Sequence, residues 1–155
     1  MPYRTRQFPY HGNTVKRLSG KHKGYLRDTG LACYLQRISS PEALAGHPRL
    51  GALFETWAVN WIYRQSLNLS VPPQAYHWRT NGGAEVDIVL ERDGKLYPLE
   101  VKCKSHLNKH DLRGLHAFRE TYPSLTMPGV VLYAGSDCFR VDEHTLALPW
   151  HCTVP

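Results

Sequence analysis

Two carboxylates and one lysine stand at spacings that suit chemistry on a phosphate group. Asp87 lies in the run Glu-Val-Asp-Ile-Val-Leu-Glu, and Glu100 and Lys102 lie in the run Leu-Glu-Val-Lys. Asp93-Gly94 separates the two runs, and this dipeptide is a strong signal for a tight β-hairpin. With these two residues as the loop, the pairing of the strands places Asp87 directly opposite Glu100.

The alternation of side chains along a strand then predicts two different faces. The charged face would carry Glu85, Asp87, Glu100, Lys102 and Lys104. The other would be a core face of Val86, Ile88, Leu90, Tyr97, Leu99 and Val101. A three-residue loop with a glycine bulge would mix the two faces, because it places Asp87 opposite Leu99. The clean separation of charged and apolar residues favours the two-residue loop.

The charged face suits a divalent cation. Like charges that face each other across two strands destabilise the pair, and a cation between Asp87 and Glu100 would offset the repulsion. Mg²⁺ takes oxygen ligands and often uses only one or two carboxylates. Lys102 points the same way and could hold an attacking water or neutralise charge on a phosphoryl group. The alternative is a solvated strand face on which Glu85 and Lys102 form a surface ion pair.

A third acidic group comes from the longest predicted helix, residues 50–67. Apolar residues recur at helical spacing on most sides of this segment, which predicts a central helix. Glu55 is the only charged residue between Arg49 and Arg64. A carboxylate in apolar surroundings is costly unless it is paired or bound to a metal. Glu55 is therefore either aimed at the hairpin or exposed at the solvent edge of the helix.

Composition sets broad limits. The chain has 155 residues, of which 42% are hydrophobic and 21% charged, and this balance is typical of a globular domain. The net charge of +6 favours a polyanionic partner such as nucleic acid. The four cysteines form no Cys-x-x-Cys pair, so we expect reduced thiols and a cytoplasmic location. No apolar run is long enough for a membrane span or a signal peptide, so no membrane association is expected.

The order of predicted elements indicates the fold class. Residues 1–27 are basic and rich in turn residues, and we interpret them as an arm that tracks phosphates or as a fragment that packs on upstream structure. The domain proper would be residues 28–155. Its central elements are a helix, a strand over 74–79, the two hairpin strands, a helix over 111–122 and an apolar strand over 129–134. This order predicts an α/β fold with a mixed central sheet flanked by helices.

The motif Asp87, Glu100-Val-Lys102, with Glu55 on a preceding helix, resembles the PD-(D/E)xK nuclease superfamily. That family has a restriction-endonuclease-like core of helix, three antiparallel strands, helix and strand. The chain from about residue 13 to residue 150 also resembles the C-terminal domain of unknown function that follows the ATPase module in many prokaryotic AAA-type ATPases. The segments that carry this second resemblance are 13–17, 25–34, 51–55, 85–91 and 100–102.

The resemblance implies a role for each motif residue. Asp87 and Glu100 would bind Mg²⁺ or Mn²⁺, and the backbone carbonyl of Val101 would complete the shell. Lys102 would be the catalytic lysine and Glu55 the helix carboxylate. One departure is Val86, which stands where the family usually has proline before the motif aspartate.

The chain also lacks the Gly-x-x-x-x-Gly-Lys-Ser/Thr phosphate loop, so it is not the ATPase itself. An ATPase module is then an expected partner, and residues 1–27 would be the remnant of a connecting domain.

Two functional hypotheses follow. The first is a metal-dependent endonuclease acting on DNA, with phosphate contacts from Arg79, Lys104, Arg113 and Arg119. The second is a catalytically silent module that binds DNA or a protein partner on the same scaffold under the control of an ATPase. Neither hypothesis determines the oligomeric state, which could be that of a homo-oligomer.

Overall fold

The computed structural model describes residues 4–13 and 20–153. The strands are β1 (Arg4–Pro9), β2 (Lys23–Leu26), β3 (Gln74–Arg79), β4 (Glu85–Arg92), β5 (Lys95–Lys102), β6 (Gly129–Tyr133), β7 (Phe139–Asp142) and β8 (Thr145–Pro149). The α-helices are α1 (Thr29–Leu35), α2 (Pro41–Ala45), α3 (Leu50–Ser66) and α4 (Arg113–Thr121). Short 3₁₀ helices cover Lys109–Leu112 and Trp150–Thr153. The predicted α/β class with a mixed sheet and flanking helices is confirmed.

The sheet has eight strands in the order β2-β1-β3-β4-β5-β6-β8-β7. Strands β3, β4 and β5 are antiparallel neighbours, and β6 joins β5 in parallel after the crossover through α4. The C-terminal segment is an antiparallel pair in which β8 lies beside β6 in parallel. The predicted order of helix, three strands, helix and strand is therefore present as α3, β3–β5, α4 and β6.

The N-terminal residues add two strands to this sheet. β1 pairs in parallel with β3, and β2 pairs with β1 in antiparallel fashion. Residues 4–9 and 23–26, which we assigned to a basic arm, thus share the sheet of the hairpin. The rest of the predicted arm includes residues 1–3 and 14–19, which lie outside the described residues.

The hairpin has the predicted two-residue loop. Arg92 is paired with Lys95 and Ile88 with Leu99, which is the register derived from the sequence. Asp93 and Gly94 both have positive φ, 52° and 72°, as a type I′ turn requires. The three-residue alternative is therefore wrong. Continued one residue beyond the Ile88–Leu99 pair, the same register would bring Asp87 opposite Glu100.

A bulge in β4 corrects the predicted faces. Tyr76 pairs with Val89 and Trp78 with Val86, so β4 has one residue more than β3 between these pairs. The extra residue moves Val86 off the face of Ile88, because a bulge re-aims the side chains that follow it. Val86 packs with Phe118 of α4, whereas Ile88 packs against α3. The prediction that Val86 and Ile88 share a face is thus wrong, and Tyr97, also placed in the core, is 38% exposed.

Both faces of the central strands are covered. The cluster on the α4 side includes Val86, Val89, Leu96, Leu115 and Phe118. The cluster on the α3 side includes Ala58, Val59, Ile88, Val101 and Leu132. Polar groups on β4 and β5 must therefore be paired or bound, because little of this surface reaches water.

Helix α3 spans 17 residues, as its apolar pattern predicted, and one buried polar group joins it to the N-terminal strands. The Asn60 amide donates to the Leu26 carbonyl at 2.6 Å, and its oxygen accepts from the Thr5 hydroxyl at 3.0 Å. These bonds anchor β1 and β2 on the helix that carries Glu55. Across residues 4–13 and 20–153, none of the helices has the length and apolar character needed to cross a bilayer.

Candidate active site

The four predicted catalytic side chains line one cleft of about 360 Å³ beside the ends of β4 and β5. They come from three elements: Glu55 from α3, Asp87 from β4, and Glu100 and Lys102 from β5. Glu85, predicted on the charged face, and Arg113, predicted as a phosphate contact, also line the cleft. The lining residues that were not predicted are Gly83, Ala84, His110, Asp111 and Gly114. The cleft is therefore strongly polar and contains both signs of charge.

Asp87 and Glu100 are buried, with exposures of 7% and 5%. The alternative of a solvated strand face is wrong, because α3 and α4 close over the sheet on either side. Asp87 Oδ2 accepts a hydrogen bond from the Val101 amide at 2.9 Å. Glu100 Oε1 lies 2.5 Å from Lys102 Nζ, but Glu100 Oε2 is buried without a hydrogen-bond partner among residues 4–13 and 20–153. One carboxylate oxygen of the pair is thus left unsatisfied.

Burial disfavours charge on both acids. Desolvation is the main cause that raises the pKa of Asp87, and the negative charge of Glu55 adds to it. Desolvation likewise raises the pKa of Glu100, and the charge of Asp87 adds to it. The ammonium groups of Lys23 and Lys102 oppose these shifts without cancelling them. The pair consequently binds protons more tightly than free carboxylates do, and a metal ion would compete with those protons.

Lys102 is an ammonium donor in this cleft. Burial is the largest single influence and lowers its pKa, but the charge and hydrogen bond of Glu100 together with the charges of Asp87 and Asp111 outweigh burial, so the pKa lies above the ordinary lysine value. At neutral pH the side chain therefore carries its proton. It can donate to a phosphoryl oxygen or hold a water, whereas taking a proton from water would first require it to lose one.

Glu55 faces the acidic pair rather than the solvent edge of α3. Its Oε1 accepts from the Tyr25 hydroxyl at 2.7 Å and lies 3.2 Å from Lys23 Nζ. The same ammonium lies 3.6 Å from Asp87 Oδ1, so Glu55 and Asp87 share one cation. The helix carboxylate thus belongs to the charge network of the hairpin.

Lys23 is a charged residue beside the site that sequence reasoning also missed. Besides Glu55 and Asp87, its ammonium forms a short ion pair with Glu85. The predicted Glu85–Lys102 pair is not what the structure shows, since Glu85 pairs with Lys23 and Lys102 with Glu100. The alternation of Lys23 and Tyr25 in a short β-like run was a usable signal for a common face. It could not indicate which side chains that face would meet.

The four predicted phosphate contacts lie in different settings. Arg79 is 65% exposed and lies 3.9 Å from Oε2 of Glu85, which lines the cleft. Arg113 lines the cleft and donates to the Gly82 carbonyl at 3.0 Å. Lys104 Nζ lies 2.6 Å from Asp111 Oδ1. Arg119 donates to the Met127 carbonyl at 2.7 Å and does not line the cleft, so its guanidinium stabilises the loop before β6.

The donor set fits a hard cation with few protein ligands. Over residues 4–13 and 20–153, no three His, Cys, Asp or Glu side chains are grouped so as to hold a metal ion. Asp87 and Glu100 supply two carboxylates, and Glu100 Oε2 lacks a partner within the described part of the chain. The N–H and C=O of a strand residue point the same way, so the Val101 carbonyl faces β4 together with its amide. Two carboxylates and a carbonyl suit Mg²⁺ or Mn²⁺, which retain several waters.

Burial of Glu100 predicts a pH-dependent stability. Its pKa is raised to about 8 in the folded protein, so the folded state binds more protons than the unfolded state between the ordinary glutamate pKa and about 8. Stability in EDTA should therefore fall as the pH rises through this window. Glu100→Gln cannot ionise and should lose less stability than the wild type between pH 5 and pH 9, by about 2 kcal/mol. Urea unfolding at both pH values measures the difference.

Glu120→Gln is the matched control, because Glu120 is exposed on α4. It should follow the wild-type pH dependence. Equal losses of stability in wild type and Glu100→Gln would contradict the burial of an ionisable group at this position.

Comparison with known proteins places the chain in a family. Residues 50–153, which include Glu55, the hairpin and α4, match the domain of unknown function DUF4143. Uncharacterized proteins of Mycobacterium bovis and Mycobacterium tuberculosis are each 37% identical to the chain over 142 residues. These residues are 91% of the chain but 30% of either relative. The chain thus belongs to the DUF4143 family of domains of unknown function.

Proposed function

We propose that the chain is a divalent-metal-dependent nuclease domain that hydrolyses phosphodiester bonds in DNA. The observation that carries the proposal is the buried pair Asp87 and Glu100, with an unsatisfied carboxylate oxygen beside the ammonium of Lys102. Burial of two like charges is costly for folding alone, and such strained charges concentrate where chemistry is done. A cation and a phosphate would satisfy both the acids and the lysine.

In this mechanism the side chains have separate tasks. Asp87, Glu100 and the Val101 carbonyl would hold Mg²⁺ or Mn²⁺. The ion, when bound, lowers the pKa of a water and polarises the phosphate. Lys102 donates to the phosphoryl oxygen and neutralises the charge that develops there. Glu55 holds Tyr25 and Lys23 and so sets the charge around Asp87.

The order of elements supports a restriction-endonuclease-like core. Helix α3, the antiparallel strands β3–β5, the crossover helix α4 and the parallel strand β6 follow the layout of the PD-(D/E)xK superfamily. Val86 in place of proline is tolerable, because the bulge beside it already sets the direction of Asp87.

The proposed partners are DNA and an ATPase module. The net charge of +6, the exposed Arg79 beside Glu85 and Arg113 in the lining favour a polyanion in the cleft. The curated relatives are far longer than the chain, which leaves room in them for a further module. We propose that an AAA-type ATPase module regulates this domain and that both act in the cytoplasm.

One observation favours a second candidate, the catalytically silent binding module. The acids and two lysines are already paired within the protein: Lys23 pairs with Glu85 and Glu55, and Lys102 pairs with Glu100. A scaffold with internally compensated charges can bind DNA or a partner without cleaving it. The same assay separates the two candidates.

The test is cleavage of supercoiled plasmid in Mn²⁺ by wild type and Asp87→Asn. The variant keeps the size of the side chain but removes the charge that would hold the metal, so cleavage should fall about a hundredfold or more. Asp93→Asn at the exposed hairpin tip is the matched control and should cleave like wild type, since asparagine tolerates positive φ. DNA binding without cleavage in all three proteins would support the silent module instead.

A further inference from the structure

The ammonium of Lys23 lies among three carboxylates, which attract a cation. It contacts carboxylates of three elements: Glu55 on α3 at 3.2 Å, Asp87 on β4 at 3.6 Å and Glu85 at the start of β4 through a short pair. Lys23 itself comes from β2, at the far edge of the sheet order. A lysine from the N-terminal part of the chain thus enters the acidic end of the hairpin.

The two lysines of the site form ion pairs with different acids. Lys102 is bonded to Glu100, whereas Lys23 pairs with Glu85, Glu55 and Asp87. Each ammonium offsets part of the repulsion among four carboxylates. A divalent ion held by Asp87 and Glu100 would bring two more positive charges to this cluster, close to that of Lys23. The ion and the ammonium would then repel each other and compete for Asp87.

We propose that Lys23 is a displaceable counter-ion, which occupies the acidic cluster in the metal-free protein and leaves Asp87 when a divalent cation binds. This role rests on the proposed metal site at Asp87 and Glu100. It makes Lys23 a residue that sets the metal affinity of the site, with the β1–β2 pair as the element that delivers it.

The surroundings allow the ammonium to leave while β2 stays. Tyr25, two residues on, is 6% exposed and bonded to Glu55, and the Leu26 carbonyl accepts from Asn60 on α3. These contacts hold the backbone of β2 against α3. The Lys23 side chain is 27% exposed and has four flexible methylene groups, so rotation of the side chain is enough to carry its charge to solvent.

The test is the affinity for Mn²⁺, measured in the absence of DNA from the electron paramagnetic resonance signal of free Mn²⁺. Lys23→Met removes the competing charge and should bind Mn²⁺ roughly tenfold more tightly than wild type. Lys23→Arg retains the charge and should bind no more tightly than wild type. Lys21→Met removes one charge from an exposed position nearby and should bind within about twofold of wild type.

The outcomes separate this role from the metal site itself. If wild type binds Mn²⁺ and Asp87→Asn does not, but Lys23→Met binds no more tightly than wild type, the counter-ion role is wrong and the metal site stands. If wild type and Lys23→Met both bind Mn²⁺ no better than Asp87→Asn does, the metal site and the counter-ion role are both wrong.

A second measurement uses the wild-type protein, so it does not depend on the folding of a variant. Acylation of lysines by an activated ester, mapped by mass spectrometry, reports whether an amine is held in an ion pair. Labelling of Lys23 should increase several-fold when Mg²⁺ is added, while labelling of Lys21 stays constant. No change at Lys23 under saturating Mg²⁺ would overturn the displacement.

Discussion

Lys102→Met is expected to reduce metal-dependent DNA cleavage by a factor on the order of 10² to 10³ while Mn²⁺ binding persists. The ammonium lies 2.5 Å from Glu100 Oε1, inside the cleft that also holds Asp87. In the proposed mechanism it stabilises charge that develops on the phosphoryl group, and loss of one such donor typically costs this factor. Methionine keeps most of the length of the side chain but cannot donate.

Single-turnover cleavage in Mn²⁺ measures the loss, and Lys95→Met is the matched control. Lys95 lies on the same strand, is exposed, and donates to the Ser124 carbonyl at 3.4 Å, away from the cleft. The control should cleave within about threefold of wild type. Equal cleavage rates for Lys102→Met and wild type would exclude Lys102 from the mechanism. If Lys102→Met binds Mn²⁺ more weakly but cleaves at the wild-type rate in saturating Mn²⁺, Lys102 is only a structural partner of Glu100.

Gly114→Ala is expected to destabilise the protein by about 3 kcal/mol. A Cβ atom at Gly114 would lie 1.7 Å from the Glu85 carbonyl oxygen and 2.8 Å from its carbonyl carbon. Both are backbone atoms, so α4 and the start of β4 would have to separate. Glu85 pairs with Lys23, and Asp87 lies two residues on, so the displacement should also reduce cleavage.

Thermal unfolding measures the change, which should lower the melting temperature by roughly 10 °C. Gly51→Ala is the matched control, since Gly51 is also the second residue of a helix and an added Cβ meets no atom within 4 Å. Alanine there should be neutral or stabilising by up to about 1 kcal/mol. If Gly114→Ala and Gly51→Ala have equal stability, the close approach of α4 to β4 does not hold the site in place.

The hairpin could be derived from its residues because its determinants are local. Asp93-Gly94 favours a two-residue turn, and the turn alone sets which residues face each other. The register brings Asp87 near Glu100 and Lys102, but the direction of the Asp87 side chain also depends on the bulge in β4. The helix with Glu55 was derived equally well from its apolar pattern, although the direction of the carboxylate was left open.

Predictions failed where a contact between distant segments decides the outcome. The bulge that moves Val86 to the α4 side arises from the pairing of β4 with β3, and no turn dipeptide marks it. Residues 4–9 and 23–26 carry basic residues and turn formers, and only their pairing with β3 and with each other makes them strands. Asp111 lies in the cleft, where its carboxylate caps a 3₁₀ helix and pairs with Lys104. The way this helix packs on the sheet decides that position.

The amino-acid sequence by itself determined the turn, the pairing of the acids and the family resemblance, because each depends on neighbours along the chain. Only the tertiary structure decided how strongly the acids are buried and which cation compensates them. Lys23 and Glu85 are far apart in sequence, and their ion pair exists because β2 is anchored to α3 while α3 packs on the sheet. Ion pairs between residues that are distant in sequence depend on how the helices and strands pack. For this reason the counter-ion of the site could not be found from the spacing of residues alone.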